Sequence, residues 1–366
     1  MNKRISFAGP SITEKEISYV LDAVTNGWYE NYDDYTKRLE KAFAEYIGVR
    51  YAIATHCCTL ALHLATATLP LTENDEVIVT DFSWVATAYS VAYTGAKCVF
   101  VDIDPDTWTI DPACIRKAIT SKTKAIMLVH SFGQPAEMDE ILNTAKEYGL
   151  FVIEDAAPAI GSEYKGKRVG SFGDISCFSF QGAKMTVSGE GGIMLTDNED
   201  LYNKALLLAS MGRTDSNAVF WSDKMGYQYT MGNLTASLAL AQLERADEFI
   251  RKKRDLFDCY YSELKDVGGL QLIKEKEDCK SNYCYPSLLL HNHTQEQRDQ
   301  ILAGLKALNI HARPAFPRMS RFPVFEQRFQ NPVAARVEQQ GISLPSAGNM
   351  TKEDVHFVCK SLLDLL

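Results

Sequence analysis

Lys184 stands in the run Phe178-Ser179-Phe180-Gln181-Gly182-Ala183-Lys184, and the chain then passes through Gly189-Glu190-Gly191-Gly192. Most lysines are solvated surface charges. This one interrupts an apolar, strand-forming pattern, with Ile175 to Phe180 before it and Ile193-Met194-Leu195 after it. An amine held there is poorly solvated, and burial lowers a lysine pKa towards the neutral nucleophile that forms a Schiff base. Upstream, Phe151-Val152-Ile153-Glu154-Asp155-Ala156-Ala157 reads as an apolar strand that ends in two carboxylates and then small side chains. A carboxylate facing a Schiff-base lysine across a planar ring is what pyridoxal phosphate requires, because the anion keeps the pyridine nitrogen protonated and the ring then acts as an electron sink. Taken alone, Asp155 reads as a helix N-cap at a strand-to-helix corner. Paired with Lys184, it reads as a cofactor partner.

Other parts of such a site follow from the elements around them. Residues 51–55 read as a strand and Thr59 to Leu69 as an alanine- and leucine-rich helix. Between them, His56-Cys57-Cys58-Thr59 places backbone N–H groups and the Thr59 hydroxyl at a helix N-terminus, a site suited to a phosphate. Glu76 to Thr80 reads as a strand leading into Asp81-Phe82-Ser83-Trp84. Just past the carboxyl end of a strand, Trp84 can stack on a planar cofactor or serve as an ordinary core residue.

Further along, Arg313-Pro314-Ala315-Phe316-Pro317-Arg318-Met319-Ser320-Arg321-Phe322-Pro323 carries three arginines and two phenylalanines among prolines. Arg313 and Arg318 are candidates to clamp a diphosphate, with the aromatics stacking on a base. The alternative is a solvated, proline-stiffened loop. Trp28 and Tyr29, after Gly27, are candidates for sugar contact, although such aromatics more often only pack.

Apolar strands near 51–55, 76–80, 97–101, 124–129 and 151–154 alternate with helices near 59–69, 84–94, 112–119 and 137–148. That alternation predicts an α/β fold with a mostly parallel central sheet covered by helices on both faces. A Thr13 to Glu16 capping box opens a first helix that stops near Gly27, and a second helix near Asp33 to Ile47 stops at Gly48. One long helical stretch is expected from about 233 to 265, then a strand (283–290), a helix (295–308), a short strand (310–313) and helices near 332–340 and 351–365. The expected division is a large cofactor-binding domain, 1–245, and a smaller C-terminal α/β domain, 246–366.

The motifs Pro10 to Ile17, Ala61 to Ala65, Asp75 to Val79, Glu154 to Ala157, Gly170 to Asp174, Phe178 to Gly192 and Leu240 to Glu244 together resemble the DegT/DnrJ/EryC1/StrS family of pyridoxal-phosphate-dependent sugar aminotransferases, over nearly the whole chain. The resemblance implies fold-type I, the aspartate aminotransferase-like fold, with Lys184 as the Schiff-base lysine and Asp155 as the pyridinium partner. It implies Trp84 as the stacking aromatic, Thr59 and Ser179 at the phosphate, with Cys58 a cofactor-binding candidate through the same helix start, and Asn233 reaching the phosphate of a neighbouring subunit, hence a homodimer. Three positions depart from the family pattern: Cys58 where glycine is frequent, Pro158 where Gln or His usually follows Asp-Ala-Ala, and Thr230 where Arg is frequent.

Composition is that of a soluble enzyme: 366 residues, 46% hydrophobic and 23% charged, enough to bury a large core. The net charge of -9 argues against nucleic-acid binding. Nine scattered cysteines, with no CxxC pair, read as reduced cytoplasmic thiols. Cys279, Cys284, His291 and His293 match no usual zinc spacing, so no metal is expected. With no long apolar run, no membrane partner is expected either. The favoured reading is transfer of an amino group from glutamate to C4 of a dTDP-linked 4-keto-6-deoxyglucose, with C3 amination and GDP-linked sugars as alternatives. Two other classes are a pyridoxal-phosphate-dependent sugar dehydratase, in which histidine replaces the lysine, and a non-catalytic sugar-nucleotide-binding regulator, which would have lost the amine or the carboxylate.

Overall fold

The computed structural model describes residues 3–213 and 220–366. In chain order its strands are β1 (Tyr51–Thr55), β2 (Glu76–Thr80), β3 (Lys97–Val101), β4 (Thr123–Val129), β5 (Phe151–Asp155), β6 (Glu163–Tyr164) and β7 (Lys167–Arg168). Then come β8 (Ile175–Ser179), β9 (Gly192–Thr196), β10 (Leu270–Leu272), β11 (Cys279–Lys280), β12 (Ser287–Leu290), β13 (Arg313–Pro314) and β14 (Gly341–Ser343). Seven of them form the central sheet in the order β1-β9-β8-β5-β4-β2-β3. Only β9 runs against the others, pairing antiparallel with β1 and β8.

Strand side chains alternate between faces, and here both faces are apolar. On β2, Ile78 belongs to one core cluster while Val77 and Val79 belong to the other; on β4, Ile126 and Leu128 face one way and Ala125 and Met127 the other. A sheet buried on both faces needs helices on both, which the crossover connections supply. A third core cluster joins Leu256 and Tyr260 of the helix Ala246–Leu264 to Leu288, Ile301, Ile342 and Val358, around a four-stranded antiparallel sheet ordered β10-β12-β14-β13. Ile5 packs in this cluster and bridges Ile310, so the amino-terminal segment crosses to the C-terminal part.

The first helix, Glu14–Asn26, begins where its sequence says: the Glu16 carboxylate accepts from Thr13 N–H at 2.7 Å and from the Thr13 hydroxyl at 2.6 Å. Glu16 also accepts from Gln242 (2.7 Å) and Arg245 (2.6 Å). Burial pushes its carboxyl up, but the bonds from Thr13 and Arg245 outweigh that and hold its pKa down at about 2. The second helix, Asp34–Ile47, ends on Gly48 in the left-handed conformation, φ 89°.

Three expectations need correction. The short strand expected at 310–313 is β13, Arg313–Pro314, because Ile310 pairs instead with Ile5 as an isolated bridge. The stretch 233–265 is two helices, Asn233–Leu243 and Ala246–Leu264, because Arg245 takes φ -111°, ψ 6° and spends its guanidinium on Glu16, Ser11 and Glu248. The strand expected at 283–290 is only β12, since Tyr283 has φ 47° and the Cys284 N–H is taken by the Asn282 side chain at 2.8 Å.

The segment from 318 to 334 is tied back onto the central sheet by two buried carboxylates. Asp81, after β2, accepts from the Ser320 N–H and hydroxyl (both 2.7 Å) and from Asn331 Nδ2 (2.8 Å). Asp102, after β3, accepts from the N–H groups of Val333 (2.9 Å) and Ala334 (2.8 Å), capping the helix Pro332–Gln340 from across the fold.

Candidate active site

The carboxyl ends of β4, β5 and β8, the start of the helix Cys58–Thr68 and the loop 181–190 surround a cavity of about 520 Å³. That is within the usual range for a small-molecule site, ~300–1,000 Å³. Of the candidate residues, Lys184, Asp155, Trp84, Cys58, Thr59, Ser179 and Arg313 all line it, as does Pro158. Residues from five stretches far apart in sequence therefore converge on one space.

Asp155 ends β5, is buried, and is not a helix cap, since no helix follows it. Thr87 Oγ1 donates to its Oδ2 at 2.7 Å and Ala157 N–H to its Oδ1 at 3.1 Å. Burial raises its pKa above the ordinary carboxylate value; the bonds from Thr87 and Ala157 and the nearby Lys184 only partly offset this. A buried carboxylate of that kind gains most from a cation placed against it.

Lys184 lies in a turn beyond β8 rather than inside a strand, with its N–H donating to Gln181 C=O at 2.8 Å. Its side chain is half-buried, less enclosed than the sequence pattern suggests. Glycines make the loop possible: Gly189 has φ 85° and Gly191 φ 148°, and Phe180 N–H donates to Gly191 C=O at 2.9 Å. From the other side Tyr285, which also lines the cavity, donates its hydroxyl to Ala183 C=O at 2.6 Å. Among the described residues, no hydrogen bond or ion pair occupies the Lys184 amine.

Cys58 and Thr59 begin their helix with N–H groups directed outward from its first turn. A side chain at Gly192 would sit 2.4 Å from Cys58 N, so glycine there lets the helix start press against β9. Burial pushes the Cys58 thiol well up in pKa, and Asp155 adds to the effect, so the sulfur is a neutral wall of the cavity. Ser179 ends β8 beside this helix, and Trp84 stands 64% exposed at the cavity wall.

Four candidates lie elsewhere. Arg318 is bonded to Glu338 (3.3 Å) and to Gln330 C=O (2.8 Å), and Arg321 binds the same Glu338, so of the three distal arginines only Arg313 opens on the cavity. Arg313 stacks over Phe7, 4.4 Å from the ring centroid. Trp28 donates to Val24 C=O at 2.7 Å and Tyr29 is 88% exposed with φ 55°, both outside the cavity. Asn233, the first residue of its helix, accepts from Tyr35 N–H at 2.8 Å and donates to Gly27 and Asn31 carbonyls at 3.4 and 3.3 Å. Its amide is thus engaged within its own chain, pinning the segment that carries Trp28 and Tyr29.

Two residues that sequence reasoning did not single out for the site support it from behind. Glu154 and His130 are fully buried, with His130 Nε2 3.0 Å from Glu154 Oε2. Ala136 N–H donates to His130 Nδ1 at 3.0 Å, which assigns the ring proton to Nε2. Glu154 also accepts from the N–H groups of Gly170, Phe172 and Gly173 at 2.6–2.8 Å. The Gly170-Ser171-Phe172-Gly173 motif is therefore a cradle for Glu154, and it holds the end of β5 that presents Asp155.

A cavity of this size, a buried carboxylate at one side, a helix N-terminus at another, an unengaged lysine amine and an aromatic wall fit pyridoxal phosphate. Together with the mostly parallel sheet, they define a fold-type I pyridoxal-phosphate enzyme. The DegT/DnrJ/EryC1/StrS aminotransferase family profile matches residues 10–363, and the chain belongs to that family. It is 40% identical over 361 residues to a GDP-perosamine synthase of Escherichia coli O157:H7, covering 98% of each chain. A putative sugar aminotransferase of Streptococcus pneumoniae, solved in its pyridoxal-phosphate form, superposes with a TM-score of 0.92 at 25% identity, covering 100% of both chains. DesI, solved in the presence of its TDP-sugar product, gives a TM-score of 0.91 at 28% identity, covering 100% of this chain and 94% of that one. The chain is a pyridoxal-phosphate-dependent aminotransferase of nucleotide sugars. No helix among the described residues is long and apolar enough to cross a membrane, and all nine cysteines are free.

Proposed function

We propose that this enzyme transfers the amino group of glutamate to C4 of a GDP-linked 4-keto-6-deoxy sugar. The observation that carries the transaminase chemistry is that Lys184 and Asp155 open on the same cavity, with the Cys58–Thr59 helix start and Ser179 at its edge. The likeness to a GDP-perosamine synthase supports a GDP-linked substrate, and C4 is the carbon favoured from sequence. This replaces the dTDP-linked substrate favoured from sequence, which stays as the second reading because DesI was solved with a TDP-sugar.

When bound, pyridoxal phosphate supplies the electron sink and the carbon that carries nitrogen between the two substrates. Asp155 would hold the ring nitrogen protonated, its own raised pKa relieved by that cation. Thr59, Ser179 and the Cys58 and Thr59 N–H groups would take the phosphate, and Trp84 would flank the ring. Lys184 would anchor the cofactor and, once displaced by the donor amine, take the proton from the donor's α-carbon. Arg313 would face the anionic groups of the substrates.

A homodimer follows from the same reading. Ile17, Leu21 and Val24 form an exposed apolar stripe on the first helix, 49–63% accessible, which continues to Trp28. In this reading a second copy covers the stripe, and the Gly27–Tyr35 segment held by Asn233 is the part offered to the partner's cavity.

The test is a panel of GDP- and dTDP-linked 4-keto-6-deoxy sugars with glutamate, reading 2-oxoglutarate and the position of nitrogen in the product. The proposal expects turnover with the GDP-linked 4-keto sugar at the highest kcat/KM. Amination only of dTDP-linked or 3-keto sugars would overturn it.

A further inference from the structure

Six buried side-chain oxygen or nitrogen atoms lack a hydrogen-bond partner among the described residues, and of their owners only Ser131 lines the cavity that contains Lys184 and Asp155. Ser131 is 4% exposed. A buried hydroxyl left unpaired in a native fold points to a missing partner, and at a cavity wall that partner is a ligand.

The turn that holds Ser131 is fixed on every side. It follows β4, which runs parallel to β5 with Val129 opposite Asp155, and His130 N–H donates to Asp155 C=O at 3.1 Å. Ser131 therefore extends β4 alongside the Asp155-Ala156-Ala157 end of β5. Phe132 and Gly133 take φ 54° and 93°, and the Gly133 carbonyl accepts from Ser162 Oγ (2.7 Å) and Ser281 Oγ (3.0 Å). The Phe132 ring is wedged among Phe82, Trp108, Tyr285 and Phe316, with centroids 5.4–6.1 Å away. Pro158, on the same wall, has no N–H to offer, and its carbonyl already accepts from Asn282 Nδ2 at 3.0 Å.

The chemistry of the cofactor says what is left to bind. The carbon that bonds the lysine lies opposite the ring nitrogen and is flanked by the phosphate arm on one side and by the 3-oxygen on the other. In the sheet order, β8 with Ser179 and β1 leading to Cys58 and Thr59 lie to one side of β5, and β4 with Ser131 lies to the other. A ring whose nitrogen meets Asp155 and whose phosphate meets the β1 and β8 side turns its 3-oxygen edge towards β4.

We propose that the Ser131 hydroxyl donates a hydrogen bond to the 3-oxygen of bound pyridoxal phosphate, the one polar ring substituent that Asp155, Lys184 and the phosphate-binding residues leave unaddressed. The inference rests on the cofactor placement given under Proposed function and adds a residue to it. A hydrogen bond to a charged oxygen gives on the order of tenfold in affinity.

The test compares cofactor-stripped wild type and Ser131→Ala, each titrated with pyridoxal phosphate and with 3-deoxypyridoxal phosphate, reading the dissociation constant from the visible absorption. Ser131→Ala should bind pyridoxal phosphate about tenfold more weakly than wild type, while the two proteins bind the 3-deoxy analogue equally. Since the hydroxyl has no protein partner, the Tm of the stripped variant should equal that of wild type. Equal affinity of both proteins for pyridoxal phosphate, or the same loss with both cofactors, overturns the role of Ser131. Wild type that binds neither cofactor would instead remove the placement on which the role depends.

Discussion

Thr87 Oγ1 lies 2.7 Å from Asp155 Oδ2, so the helix that follows Trp84 fixes the orientation of the carboxylate that ends β5. A single short stretch, 84–87, thereby provides a cavity-lining aromatic and holds the anion that would meet the ring nitrogen.

Asp155→Asn is expected to retain some cofactor and to lose turnover by on the order of a hundredfold, because an amide cannot keep the ring nitrogen protonated. Stability should move the other way. Burial raises the folded-state pKa of Asp155 above its unfolded value of about 3.9, so its charge costs nothing below that pH and destabilises increasingly as pH rises through the folded pKa. Cofactor-free Asp155→Asn should therefore match wild type near pH 3 and melt at a higher temperature at pH 7. A lower Tm at pH 7 would contradict this account of the site.

The buried Glu154–His130 pair gives a second expectation. Burial pushes Glu154 up, but the His130 bond and the loop N–H groups outweigh it and hold its carboxyl below the usual range. Its stabilisation is present above the unfolded pKa of about 4.3 and is lost as pH falls through the folded value. Glu154→Gln leaves at least one of these buried donors unpaired and should cost roughly 3–5 kcal/mol in denaturant unfolding at pH 7. A loss under about 1 kcal/mol would show that the 170–173 cradle does not depend on the charge.

A shared site predicts complementation. Lys184→Ala and Asn233→Ala subunits, each severely impaired alone, should regain activity when co-expressed, up to about one quarter of wild type in a random mixture, since about half of the dimers are hybrids and each hybrid keeps one intact site of two. Hybrids no more active than their parents, or a fully active monomer in sedimentation, would exclude the shared site.

Much of this was legible from local pattern. Strands β2 and β3 fall at their expected limits, since continuous apolar runs bounded by polar turns specify buried strands without outside help. The helix Pro332–Gln340 was marked by proline at its start and glycine after its end. What local pattern could not show are bonds between distant residues. The break at Arg245 depends on Glu16, 229 residues away, and the engagement of Arg318 depends on Glu338. Asn233 binds Tyr35 across 198 residues, which no spacing rule reveals. Glu154 was visible as one of two adjacent carboxylates; strand alternation, which sends neighbours to opposite faces, was the signal that it points away from the cavity while Asp155 points in.

The central claim is that Lys184 carries the cofactor, and borohydride reduction of the holoenzyme followed by peptide mapping tests it most directly. The account predicts pyridoxyl label on the peptide containing Lys184, with Lys184→Ala folded like wild type, unlabelled and without turnover. Label on any other lysine of the wild-type enzyme would contradict it.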